Sequence, residues 1–148
     1  MTTPTCVDAA VADLAAVESF CDLWEKAWND RDGDAVAALC AQDLVYDEPA
    51  LGETVYGRDA IRALVNLMTS TIPDYSFRRI GLYAEVTRPA ILVAWHLTGT
   101  VAGTDHPIEF HGDDRLELGD DGLVHAYRCV YDNKHVLSQF AAAAAGRA

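Results

Sequence analysis

The sequence predicts an α+β fold, and a change of period along the chain carries that prediction. Apolar residues recur at helical spacing through most of the first seventy positions, and from Tyr75 onward they alternate with a period of two. Helices first and an antiparallel meander second is the α+β order. The 148 residues, 51% of them hydrophobic, suffice for one domain with a sizeable core, and no internal repeat or long linker divides residues 1–148.

The first helix is expected from about Asp8 to Asn29, because Val11, Leu14, Val17, Cys21, Trp24 and Trp28 fall on one face. Asp32-Gly33-Asp34 breaks it, and Asp34 is placed to cap a short second helix carrying Val36, Leu39 and Cys40. Leu44 to Glu48 reads as a short strand ended by Pro49. A third helix follows Gly57, with Ile61, Leu64, Val65 and Met68 on one face, and Pro73 stops it. Four long strands follow: Tyr75 to Val86, Ala90 to Val101, Ile108 to Leu118 and Leu123 to Tyr131. Arg88-Pro89, Ala102-Gly103-Thr104-Asp105 and Gly119-Asp120-Asp121-Gly122 are the turns between them. Asn133 to Ala145 closes the chain as a short helix grading into an alanine-rich tail, with residues from about 141 to 148 expected to fray. A curved sheet of this kind, closed on its concave face by the helices, leaves an apolar pocket between the layers.

A net charge of −12 argues against nucleic-acid and acidic-membrane partners, which require clustered Lys and Arg. No apolar stretch is long enough to span a bilayer, and residues 1–6 lack a signal-peptide pattern, so a cytoplasmic protein is expected. Cys6, Cys21, Cys40 and Cys129 have no CxxC spacing and read as reduced, buried thiols. The five histidines form no HExxH-type signature. His106, His111 and Asp113 are the nearest thing to a ligand set, and the expectation is no metal and no cofactor.

Asp114 is the residue that stands out. In the strand Phe110 to Leu118, Phe110, Gly112, Leu116 and Leu118 share one face with it, while His111, Asp113, Arg115 and Glu117 share the other. An ionised carboxylate on an apolar face is costly to desolvate. It either finds a partner, such as backbone or Arg128, or stays protonated and able to donate a hydrogen bond to a developing oxyanion. On neighbouring strands, Tyr46 and Glu48 share a face with Leu44. Leu123, His125, Tyr127, Cys129 and Tyr131 share another, with Arg128 and Asp132 opposite. For Ile91 to Gly99 the periodicity leaves open whether Trp95 or His96 looks inward.

Three stretches resemble the nuclear-transport-factor-2-like superfamily: Trp24-x3-Trp28-Asn29-Asp30-Arg31-Asp32-Gly33-Asp34 onward to Leu39, then Asp43-x2-Tyr46-Asp47-Glu48-Pro49, then Gly57-Arg58-Asp59-Ala60-Ile61-Arg62. The closing Asp132-x4-Leu137-x-Gln139-Phe140 is similar to the end of SnoaL-type polyketide cyclases. The resemblance implies a cone-shaped sheet, and a homodimer. Among its members the ketosteroid isomerases carry their general base directly before a proline, which implies that role for Glu48. Their oxyanion acid lies on the penultimate strand, at a position matching Asp114. Their second oxyanion donor, a helix tyrosine, falls at Trp24, and a supporting tyrosine falls at Val65. The cyclases and limonene-type epoxide hydrolases place a catalytic Asp where this chain has Cys129.

The resemblance and the residues together imply an isomerase of ketosteroid-isomerase type acting on a small lipophilic carbonyl substrate such as a steroid or polyketide. Glu48 would remove a proton α to the carbonyl while protonated Asp114 stabilises the dienolate. Trp24, Tyr46, His96, Tyr127, Cys129 and Tyr131 are the expected pocket, with His96 and His111 as reserve acids for a dehydratase. Polyketide cyclase, dehydratase and a non-catalytic binding or dimerisation module are the alternatives.

Overall fold

A computed structural model describes residues 6–146, with side chains from residue 14 onward. Helix α1 (Cys6–Asn29) is followed by α2 (Gly33–Ala38), β1 (Cys40–Asp47), β2 (Thr54–Tyr56) and α3 (Arg58–Thr71). Then come β3 (Ser76–Ala84), β4 (Ala90–Thr100), β5 (Pro107–Leu118), β6 (Val124–Tyr131) and α4 (Asn133–Ala145). The six strands form one curved, unclosed sheet in the order β2-β1-β6-β5-β4-β3. The α+β class is as the sequence predicts, but the sheet is mixed: β1 lies parallel to β6, and every other pair is antiparallel.

The α1 face buries Cys21, Trp24, Ala27 and Trp28, whereas Leu14, expected on that face, is 43% exposed. The side chains of Cys6 and Val11 lie outside the described residues. The end of α1 is fastened to β3 by a two-way amide bridge. Asn29 Nδ2 donates to Phe77 O at 2.9 Å and accepts from Phe77 N at 2.7 Å. Tyr75 adds a hydroxyl bond to the Trp28 carbonyl. Trp28 is thereby fixed against the sheet, where it becomes a wall of the cavity.

Asp32, not Asp34, caps α2, accepting from Ala35 N at 3.0 Å. Asp34 sits inside the first turn and pairs with Arg62. The short helix ends at Ala38, so Cys40 belongs to β1, which begins four residues earlier than expected. Gly57 (φ +86°) makes the turn into α3, whose apolar face buries Ile61, Leu64 and Val65. Helix α4 continues through the alanine run to Ala145 and buries Ala143.

Register decides which residues meet. Across β4, β5 and β6, Val93 opposes Asp114, which opposes Cys129, and Trp95 opposes Gly112, which opposes Tyr131. These rows face the helices. On β6 an extra residue is inserted between the pairs Leu118↔Val124 and Glu117↔Ala126. That bulge inverts the alternation, so Val124 is buried and His125 turns outward to Asp121. His125 therefore does not share the inward face of Tyr127 and Cys129, as simple alternation implies.

Candidate functional site

Between helices and sheet lies an apolar cavity of about 160 Å³. Trp28, Phe77, Trp95 and Phe110 form its aromatic floor, and Leu67, Met68, Leu137 and Phe140 from α3 and α4 line the rest. Two acidic side chains look into it, Glu48 and Asp114, and these are the only buried charged residues among those described.

Glu48 stands one residue past β1, on the same face as Leu44 and Tyr46. Tyr46 donates to Oε2 at 3.1 Å, Tyr131 donates to Oε1 through a short bond, and Ala50 N donates to Oε1 at 3.3 Å. Asp47 points the other way, bonded to the Thr54 hydroxyl and 3.8 Å from Arg128. Burial, followed by the Glu48 charge, pushes the hydroxyl pKa of both Tyr46 and Tyr131 up, so both remain neutral donors.

Asp114 is 5% exposed, in the middle of β5. Trp24 Nε1 donates to Oδ2 at 3.2 Å and the Tyr127 hydroxyl donates to Oδ1 at 2.9 Å. Arg128, a possible partner by sequence, is on the far face of the sheet. Desolvation raises the Asp114 pKa from 3.8 to about 6, against the opposing pull of donors from Trp95, Trp24, Tyr127 and Cys129. The Trp95 N–H acts on the carboxyl in this way without forming a hydrogen bond of normal geometry. Cys129 interacts with both Asp114 and Glu48, and burial then the two carboxyls push its thiol well above the ordinary range. It is a proton-bearing wall and not a thiolate.

Tyr127 joins the two acid environments. Its ring stands perpendicular to Tyr46 at 4.4 Å and tilts against Trp24 at 5.2 Å. The result is a continuous aromatic and hydroxyl network from Trp24 through Asp114, Tyr127 and Tyr46 to Glu48 and Tyr131.

The structure thus brings together Glu48, Asp114, Tyr46, Tyr127, Cys129 and Tyr131 around one cavity, with Trp24 behind Asp114. His96 is a correction. Trp95 takes the inward position on β4 and His96 the outward one, where it bonds Glu109 at 3.0 Å and stacks on His111 at 4.3 Å. Neither histidine reaches the cavity. Trp95 lies flat across β5 because Gly112 has no side chain: a Cβ there would sit 2.3 Å from Trp95 Cζ2. Sequence reading missed Trp28, Phe77 and Phe110 as cavity walls, because apolar spacing marks a buried residue without saying whether it meets a neighbour or a void. Asn133, at the start of α4, also lines the cavity. Cys21, Cys40 and Cys129 are free and buried, and no group of three or more His, Cys, Asp or Glu among the described residues is placed to hold a metal ion.

A curved sheet wrapped against helices around such a cavity is the nuclear-transport-factor-2-like, ketosteroid isomerase-like architecture. The chain belongs to the SnoaL-like domain family, which matches residues 17–127. Among similar solved structures is a Catenulispora acidiphila protein of ketosteroid isomerase-like fold in complex with trimethylamine. It is 20% identical, with a TM-score of 0.72, and the match covers 81% of this chain and 90% of that one. AclR, a candidate hydroxylase from Streptomyces galilaeus, is 20% identical (TM-score 0.72; 84% and 80% covered). A candidate polyketide cyclase from Xanthomonas campestris pv. campestris is 18% identical (TM-score 0.72; 83% and 95% covered). At these identities the likeness is one of fold. No curated protein matches the sequence. No helix among the described residues is long and apolar enough to cross a membrane.

Proposed function

We propose that this protein is a cofactor-independent acid/base enzyme that moves a proton on a small lipophilic carbonyl compound. The observation that carries the reading is the pair of buried carboxyls in one apolar cavity, each in a different hydrogen-bonding environment. Proton transfer at carbon needs an ionised base and a neutral acid in the same site. Glu48, held in place by three hydrogen-bond donors, is the base. Asp114, whose pKa is raised by desolvation, is the acid facing the developing enolate oxygen. Tyr127, whose hydroxyl donates to Asp114 Oδ1, holds that carboxyl in place. In this scheme Glu48 takes a proton from the carbon α to the carbonyl, the electron pair moves onto oxygen, and the proton returns at the γ carbon to give the conjugated enone.

The cavity volume bears on substrate size. A void near 160 Å³ encloses one or two rings, and drug-sized pockets start at about 300 Å³. A tetracyclic steroid would leave part of itself outside, and Leu67 and Leu137, lining residues that are also exposed, are apolar surface for it to rest against. A compact bicyclic ketone, or one terminus of a polyketide, fits within. Cyclisation of a polyketide by the same base and acid is the nearest variant, since an enolate that attacks a second carbonyl forms by the same first step.

One observation favours a binding pocket without turnover: both Glu48 oxygens are already engaged by three hydrogen bonds. The test is conversion of a β,γ-unsaturated bicyclic ketone, followed by growth of conjugated-enone absorbance. Loss of turnover in Glu48→Gln and strong slowing in Asp114→Asn support the enzyme. A folded parent that binds the ketone without converting it supports the binding pocket. A homodimer is part of the proposal, supported by the family resemblance and by exposed Val45 and Val130 on the outward face of β1 and β6, and light scattering measures it.

A further inference from the structure

Among the described residues, five buried side-chain nitrogens meet no acceptor in hydrogen-bond geometry, and three of them, Trp28 Nε1, Trp95 Nε1 and Arg79 Nη1, belong to residues that line one small cavity. The cavity measures about 20 Å³, which is room for a single oxygen atom and too little for a ring. It adjoins the main cavity and shares four walls with it, Trp28, Phe77, Trp95 and Asp114.

A buried N–H left unpaired carries its full desolvation cost, so native proteins rarely gather several at one point without an acceptor to meet them. The acidic side chains lining this small cavity serve only in part. Asp114 accepts from Trp24 and Tyr127 and draws on the Trp95 N–H without normal hydrogen-bond geometry, and Glu25 lies 3.9 Å from Arg79 Nε. Arg79 is held by Asp22 at 2.8 Å through Nη2 and interacts with the Cys21 thiol, and its Nη1 is buried. Both tryptophans are fixed: Trp28 through the carbonyl bond from Tyr75 and Trp95 by lying across Gly112. Phe77 packs edge-on against each of them, at 5.8 Å and 5.0 Å. The donors are held in place, and no protein acceptor meets them in normal hydrogen-bond geometry.

We infer that this small cavity, walled on one side by Asp114, is the subsite for the ligand's carbonyl oxygen, received beside Asp114 by the Trp28 and Trp95 indole N–H groups and by Arg79, while the ligand's rings occupy the main cavity. The guanidinium favours an oxygen that carries or develops negative charge, so the ligand class is a one- or two-ring cyclic ketone, or its enolate, with the oxygen on the edge directed at β3 and β4. The inference rests on the reading that the main cavity takes a carbonyl ligand, and it is independent of whether Glu48 turns that ligand over.

The test is calorimetric binding of 2-tetralone and tetralin, the same bicycle with and without the oxygen. The parent should prefer 2-tetralone by about tenfold or more, since hydrogen-bonding sites discriminate strongly against ligands that leave their donors unpaired. Trp28→Phe and Trp95→Phe delete the N–H while keeping an aromatic wall, and each should cut that preference by about threefold to tenfold. Any packing loss affects both ligands, so the ratio isolates the donor. Equal affinities in the parent, or a preference unchanged in both variants, would assign the three donors to internal water and overturn the subsite. Failure of both probes to bind the folded parent also overturns it. Deuterium exchange at the α carbons of 2-tetralone reads Glu48 separately: a retained preference without catalysed exchange sinks only the proposed turnover.

Discussion

Trp24 on α1 and Asp114 on β5, ninety positions apart, are joined by one hydrogen bond of 3.2 Å from indole to carboxyl. An indole nitrogen donates and never accepts, so this bond supports the charged form of an acid that its surroundings discharge. The Asp114 pKa is the balance of those two influences. Burial is the larger, and the group is carried to about 6 instead of remaining near 3.8. Deleting the donor tips the balance further. Trp24→Phe should raise the Asp114 pKa above its value in the parent, as read by the carboxyl carbon shift in an NMR titration. A downward shift would mean that Trp24 acts on the site through packing alone.

Activity should depend on pH through the same group. In the proposed mechanism Asp114 acts protonated, so kcat/KM should fall as pH rises through about 6 and level off above it. The Asp114→Asn variant, with an uncharged amide at all pH values, should lose that limb while keeping a lower activity. A parent profile flat from pH 5 to pH 7 (roughly one unit either side of the Asp114 value) would remove Asp114 as the acid.

Stability should move with pH as well, and the sign follows from the direction of the shift. The folded protein holds the Asp114 proton more tightly than the unfolded chain does. Its contribution is therefore fully favourable below about pH 4 and is lost as pH rises through about 6. A shift of this size amounts to about 3 kcal/mol. Denaturant unfolding of parent and Asp114→Asn across this range should show the parent losing stability relative to the variant by about that amount. A difference constant with pH would place the carboxyl in a wetter setting.

Replacing the proposed base should separate chemistry from folding. Glu48→Gln keeps the size of the side chain while removing its charge, and turnover should fall by about a hundredfold to ten-thousandfold with an unchanged fold by circular dichroism. Tyr131→Phe, which removes one of the donors to Glu48, should lower turnover less. If Tyr131→Phe is the more damaging, the hydroxyl is the reacting group.

Gly112 offers a structural check. A methyl group there meets the Trp95 ring at 2.3 Å and the Val130 carbonyl at 2.9 Å, so Gly112→Ala must displace the indole. Overpacking of this kind costs about 1–3 kcal/mol, and thermal unfolding together with a changed tryptophan emission should report it.

The parts of the site on regular strands were legible from the sequence. Between Phe110 and Leu118 the alternation is unbroken, and Asp114 falls where it implies. The reading failed where regularity failed. The extra residue on β6 turned His125 outward, and the nearly all-apolar run from Ile91 to Trp95 gave β4 no polar face by which to orient His96. The three-residue strand β2 is too short to show a period. The parallel pairing of β1 with β6 is a non-local choice that no local pattern encodes. The unpaired indole N–H groups were invisible for a related reason. Spacing identifies Trp28 and Trp95 as buried, and only assembly shows that no acceptor meets either N–H in normal hydrogen-bond geometry.

The parallel seam between β1 and β6 also fixes when the cavity can exist. Glu48 meets Tyr131 across 83 positions, on or beside strands that pair in parallel, with the rest of the sheet and α3 between them in sequence. Contacts of such long range require costly loop closure and form late. During synthesis, Leu44 and Tyr46 leave the ribosome as an apolar strand whose parallel partner does not yet exist. They stay unsheltered on that side until Tyr131 has been added. Glu48, the proposed base, is thus encoded in the first third of the chain but meets Tyr131 only when the last strand docks.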